Sequence, residues 1–143
     1  MTDTAHATAS YSRETTAPAT IIWEFFKAVP EWKNWNAGVH ACSLDGPFAV
    51  GTWLTMVLPD QEIIKSQLVE VNEPHLFTDE TILGEIVVRV RHEIEALSGG
   101  RNRISYTIDV VGENAQDICA GVSSDFPEVL LTLTEQAESR AAT

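Results

Sequence analysis

His92 and Tyr106 carry the side chains best suited to chemistry in this chain, and both sit in otherwise apolar alternation. Across 86–97, Ile86, Val88, Val90, His92, Ile94 and Ala96 share one parity, and Val87, Arg89, Arg91, Glu93 and Glu95 share the other. Successive side chains of a strand point to opposite faces, so the charged set meets water and the apolar set turns inward with His92. Across 103–111 the same reading turns Ile104, Tyr106, Ile108 and Val110 in, and Arg103, Ser105, Thr107 and Asp109 out. Even numbers then face inward on both strands, so paired residue numbers sum to an even number. With Ser98-Gly99-Gly100 as the loop, Ala96 pairs with Asn102, Ile94 with Ile104 and His92 with Tyr106.

An imidazole beside a phenol on an apolar wall admits three uses. It is a core pair that satisfies its own hydrogen bonds. It is a polar anchor that orients a small molecule in an apolar pocket. Or His92 is a general acid or base with Tyr106 as donor. The core pair carries most weight and catalysis least, because the sequence supplies no firm third member of a catalytic group. Val88, Val90, Ile94, Ile104 and Ile108 would form the pocket wall around the pair. Leu54 and Met56 are further candidates, although their strand is apolar on both faces.

Other constellations are weaker. His6, His40, His75 and His92 are scattered without ligand-like spacing, so no metal is expected. No glycine-rich phosphate loop is present and no cofactor is implied. Ser123-Ser124 lies close to Pro127 and suits carbonyl or cap bonding better than nucleophilic attack. Cys42 and Cys119 read as free thiols.

The formal net charge of −12 repels phosphate backbones and anionic headgroups, which argues against nucleic acid and against electrostatic membrane binding. No apolar run approaches the ~20 residues needed to cross a bilayer. The first ten residues lack a basic region followed by an apolar one, so a cytoplasmic protein is expected. Its 143 residues suit one domain, loose at 1–4 and 140–143, as a monomer or homodimer.

A long helix must cover this wall. In 116–140, Ile118, Val122, Phe126, Val129, Leu130, Leu133 and Ala137 step by three or four, one helical face. Pro127 lies inside that stripe, lacks an N–H and crowds the carbonyl of Ser123. Either the helix kinks there or a new one starts at Asp125, which has capping-box spacing to Glu128. One kinked helix is favoured because the stripe continues back through Val122, and the kink would widen an opening lined by Val122 and Phe126. Ahead of the sheet, 6–15 reads as a strand. Ile22, Phe25, Phe26 and Val29 mark a first helix, and Pro30 opens a shorter one ending at Trp35. Trp32 and Trp35 are expected to pack together. Further strands are expected at 39–44, 51–58, 63–71 and 76–83, with turn residues in each gap.

The order is strand, two helices, six strands, long helix. Four segments carry a resemblance across nearly the whole chain: Ala17-Pro18-Ala19-Thr20-Ile21-Ile22-Trp23, Trp32-Lys33-Asn34-Trp35-Asn36, Gly46-Pro47-Phe48-Ala49-Val50-Gly51-Thr52 and Val69-Glu70-Val71-Asn72-Glu73-Pro74. The ending from Phe126-Pro127-Glu128 through Ala137-Glu138 joins them. Together they resemble the SRPBCC, or START-like, superfamily, which includes polyketide cyclase/dehydrase-like and birch-pollen-allergen-like proteins. The resemblance implies an α+β helix-grip fold: a curved antiparallel sheet of about seven strands around a long C-terminal helix. Gly51-Thr52-Trp53 is shared with lipocalins, but there the signature belongs to the first strand. Small cone-shaped isomerases lack the final helix.

Fold alone leaves activity open. Three functions follow in order. The first is a carrier of a small hydrophobic molecule (lipid, polyketide or aromatic) between sheet and final helix. The second is a cyclase or dehydratase using His92 as general acid or base. The third is a protein–protein module of the chaperone-activator type with a filled interior.

Overall fold

The computed structural model describes residues 5–143. The element order is β1 (His6–Thr15), α1 (Ala19–Lys27), a 3-10 helix (Val29–Asn34), β2 (Ala41–Leu44), β3 (Trp53–Val57), β4 (Ile63–Asn72), β5 (Leu76–Leu83), β6 (Ile86–Ala96), β7 (Asn102–Val111), α2 (Ala115–Ser123) and α3 (Phe126–Ala141). Seven antiparallel strands form one sheet in the order β1-β7-β6-β5-β4-β3-β2. The two chain-end strands meet by returning β7 to β1, and a β-bulge between Leu68 and Glu70 bends β4. This is the expected helix-grip architecture, with the second short helix in 3-10 form. Residues 1–4, expected loose, lie outside the described residues.

The β6–β7 register is the one that parity demands: Ala96 opposite Asn102, Ile94 opposite Ile104, His92 opposite Tyr106. Arg89 and Arg103 lie on the outer face, where they pair with Glu80 at 2.7 Å and Glu95 at 2.9 Å.

The final helix departs from expectation. It is two helices, broken at Ser124–Asp125, where Asp125 leaves helical geometry (φ −100°, ψ 1°). Pro127 sits in the first turn of α3, where its missing N–H costs nothing. In a continuous helix it would have deprived Ser123 of a partner and clashed with its carbonyl. The capping box is not made, since the Asp125 side chain accepts no capping bond. The Ser123 hydroxyl donates to the Cys119 carbonyl at 2.7 Å and the Ser124 hydroxyl to that of Gly121 at 3.0 Å, closing the end of α2. At the other end α3 runs to Ala141, so residues 140 and 141 are its last turn rather than loose chain.

Beyond the break, α3 seats Val129, Leu130, Leu133 and Ala137 in a core with Phe26, Trp23, Ile94 and Ile104. Thr15 donates to Glu138 at 2.6 Å, and the Arg140 guanidinium stacks 4.0 Å over the Phe25 ring, pinning α3 to β1 and α1. A second, smaller core joins Val88, Ile108 and Val110 to Ala115 and Cys119 of α2. Between these two cores the sheet is uncovered.

Candidate functional site

The uncovered stretch is a cavity of about 450 Å³. Its floor is the concave face of β3 to β7, its side is the 3-10 helix and the loop after it, and its rim is the α2–α3 break. Of the side chains expected on this wall, Val88, Val90, His92, Tyr106, Met56, Val122 and Phe126 line the cavity. Leu54, Ile94, Ile104 and Ile108 do not; all four are fully or almost fully buried in the cores. The reason is position along the strands. Ile94 and Ile104 pair one step beyond His92 and Tyr106, into the core that α3 fills. Ile108 is covered by α2. Leu54 shares a face with Met56 but is one step further into the core.

His92 and Tyr106 meet edge to face with ring centroids 4.5 Å apart. The imidazole is stacked on Phe77 at 3.9 Å and 7°, and its Nδ1 lies 3.3 Å from the Phe77 carbonyl oxygen. A carbonyl only accepts, so Nδ1 carries the proton and Nε2 is left as an acceptor. Burial drives the imidazole pKa down to about 3, against a small opposing pull from the backbone of Phe77 and Val90. His92 is therefore neutral near neutral pH, and among the described residues no carboxylate bonds to it. A histidine proton shuttle depends on a charge change near neutrality, and burial works against it at His92. Burial likewise holds the Tyr106 phenol protonated, helped by the charges of Asp79 and Asp125.

The structure adds a residue that sequence reasoning missed. Asp79 of β5 is 8% exposed, lines the cavity, and makes no side-chain hydrogen bond or ion pair among the described residues. Desolvation alone lifts its carboxyl to about 7. Its isolation follows from the register. Across the sheet Asp79 faces Leu68 on β4 and Val90 on β6, neither of which has a polar side-chain atom. Along its own strand the nearest inward neighbours are Phe77 and Thr81, and the Thr81 hydroxyl is bonded to Ser66 at 2.6 Å. The parity of β5 held a usable signal. A two-residue Gly84-Glu85 turn between strands ending at 83 and starting at 86 pairs 83 with 86, which places Asp79 opposite inward-facing Val90. Gly84 takes the positive φ (65°) that such a turn needs at its first position.

Two tryptophans complete the wall. Trp32 and Trp35 pack together, centroids 6.1 Å apart, as expected, and both also line the cavity. The Trp32 indole donates to the Phe26 carbonyl at 3.0 Å, whereas the Trp35 indole N–H has no partner among the described residues. At the rim, Leu83 and Val122 are 46% and 44% exposed. Asp125 packs against Gly38, where an added Cβ would stand 2.8 Å from Oδ2. Partial burial raises the Asp125 carboxyl as well, opposed by its own backbone amide and reinforced by Glu128. Among the described residues no three His, Cys, Asp or Glu side chains gather around a possible metal position.

A curved seven-stranded sheet gripping a C-terminal helix over an open cavity defines the SRPBCC, or START-like, class of protein. The chain belongs to the polyketide cyclase / dehydrase and lipid transport family, whose profile matches residues 6–138. Among solved structures it is similar to norcoclaurine synthase from Thalictrum flavum, at TM-score 0.77 and 13% identity over 98% of this chain and 99% of that one. It is similar to the di-domain aromatase/cyclase BexL of the BE-7585A biosynthetic pathway, at TM-score 0.77 and 16% identity over 93% of this chain and 50% of BexL. It is similar to major latex-like protein 151 from Panax ginseng, at TM-score 0.72 and 16% identity over 96% of this chain and 99% of that one. Identities this low show the fold and no more. No sequence among the curated proteins matches significantly. No helix among the described residues is long and apolar enough to cross a membrane.

Proposed function

We propose that the protein binds a small, largely apolar molecule (a lipid, polyketide or aromatic compound) in the cavity between its sheet and the α2–α3 junction. The observation that carries this is the open cavity of about 450 Å³, walled by Met56, Phe77, Val88, Val90 and Val129 and dotted with a few polar groups. A filled interior would have favoured a protein–protein module instead. Pockets of this size and makeup are the usual sites of small-molecule binding. His92 serves there as a neutral acceptor through Nε2 and Tyr106 as a phenolic donor or acceptor. Native mass spectrometry of protein purified from its own host tests the reading: a retained ligand appears as added mass. Calorimetry with a neutral arene such as 1-naphthalenemethanol is the companion. Heat of binding that vanishes in a folded Val90→Phe variant supports the cavity as the site; no binding by wild-type protein sinks the proposal.

One observation favours an enzymatic second reading, of the cyclase or dehydratase type. Asp79, in place of His92, is a carboxyl that changes charge near neutral pH, as a general acid or base must. Its test is turnover of a polyketide-like substrate by wild type and by Asp79→Asn. Loss of turnover with binding retained would support it, and equal turnover would remove it.

A further inference from the structure

We infer that the cavity selects a ligand carrying a protonated amine on an apolar, arene-sized body, with the ammonium group hydrogen-bonded to Asp79. This deepens the ligand-binding reading above and rests on it. Three observations carry it.

The first is the isolation of Asp79. It is more than nine-tenths buried, faces the cavity, and its neighbours across the sheet offer it no donor. A buried carboxyl with no partner is costly unless something else supplies the hydrogen bonds and charge. The second is the charge inventory of the walls. None of the nine Lys and Arg residues lines the cavity, while two carboxyls do, Asp79 within and Asp125 at the rim. The titratable groups that couple to Asp79 or share its cavity are Cys42 from β2, His92 from β6, Tyr106 from β7 and Asp125 from the α2–α3 junction. None is a cation near neutrality: burial raises the thiol to about 12, keeps the phenol protonated and keeps the imidazole neutral. An anionic ligand would meet two acids and no base. A cationic one meets complementary charge at depth and at the entrance. The third is the aromatic lining. Phe77, Trp32, Trp35 and Tyr106 all border the cavity, and ring faces attract cations as well as apolar bodies.

Ionisation of Asp79 on amine binding releases a proton wherever the empty cavity holds the carboxyl protonated. An alcohol of the same shape binds without that release.

The experiment compares 1-naphthylmethylamine with 1-naphthalenemethanol by titration calorimetry on the full chain. Wild-type protein should bind the amine about tenfold or more tightly than the alcohol, the range of a charge-assisted hydrogen bond. In Asp79→Asn the amine-to-alcohol ratio should fall to about one, and alcohol binding that is still measurable shows that the variant's cavity is intact. A second measurement needs no variant. Repeating the wild-type titrations at about pH 6 in buffers of different ionisation enthalpy should show proton release with the amine and none with the alcohol. Equal affinities for the two probes overturn this inference and leave the cavity reading standing. A ratio that persists in Asp79→Asn and collapses in Asp125→Asn overturns the assignment to Asp79. Binding of neither probe overturns the cavity reading and this one with it.

Discussion

From Leu130 onward α3 meets the sheet through Leu130, Leu133 and Ala137, each 1% exposed or less, against Phe26, Ile94 and Ile104. About two turns earlier the same helical layer presents Gly121, Val122 and Ser124, all exposed, at the edge of the cavity. Both regions draw on one continuous apolar stripe. What separates them is the break at Ser124–Asp125, after which Pro127 sits in the first turn of a fresh helix. A helix seals a curved sheet only where its axis stays against it. The break therefore divides one helical layer into a clamp and a rim, and the space left behind is the cavity.

Truncation tests that division with the largest expected effect. Leu130→Ala and Leu133→Ala should each cost about 2–5 kcal/mol in denaturant titrations, the usual loss for a fully buried leucine. A loss below about 1 kcal/mol in either would show that the α3 half does not clamp the core.

The second test uses two of the buried titratable groups on the cavity wall, Asp79 and His92, which act in opposite directions. Folding raises the Asp79 pKa from 3.8 to about 7. Its stabilising contribution is thus present at low pH and lost as pH rises through about 4 to about 7. Folding lowers the His92 pKa from 6.5 to about 3. Its contribution is present above about 6.5 and lost as pH falls toward about 3. In wild-type protein the two slopes offset each other between about pH 4 and 6.5. Removing either acid–base group uncovers the other. The stability of Asp79→Asn relative to wild type should rise with pH, and that of His92→Gln should fall, each on the order of 1 kcal/mol per pH unit. Urea titrations at several pH values read both. Parallel profiles for all three proteins would show that neither group is held as the structure places it.

Cavity filling comes next in size. Val90→Phe adds bulk where there is space, so it should cost less than about 1.5 kcal/mol while abolishing arene binding. A penalty as large as that of Leu133→Ala would mean that the wall is packed. At the rim, Val122→Ala should change stability by no more than about 0.5 kcal/mol, as for an exposed site. A larger loss would show that Val122 is packed rather than exposed at the rim and would erase the contrast between the two halves.

Much of the fold was legible because it repeats. The period-two alternation in 86–97 and 103–111 left one register that buries the apolar set and wets the charged set, and His92 opposite Tyr106 followed by counting. The strand at 6–15 was readable from its Thr, Ser and Tyr content, and the limits of 76–83 from the turn residues beside it. The break at Asp125 was readable as an alternative, but stripe periodicity reports which residues face inward and not whether the helix axis is continuous. Asp79 was legible only by carrying the register one strand further, through Gly84-Glu85. Two adjacent acids, Asp79 and Glu80, in a strand with apolar residues of both parities do not say which of them turns inward.

By itself the sequence determined which residues form strands and helices, which parity of β6 and β7 faces inward, and the helix-grip order that unites them. These follow from local periodicity and turn chemistry, which neighbouring residues settle among themselves. Only the tertiary structure decided which inward residues are packed and which face open space. Ile94 and Ile104 have the same pattern as Val88 and Val90, yet α3 covers the first pair and the helix break leaves the second pair on the cavity wall. The same holds for the ionisation of Asp79 and His92. Their pKa values depend on how much water and how many partners the folded neighbours leave them, and those neighbours come from strands and helices far apart in the chain.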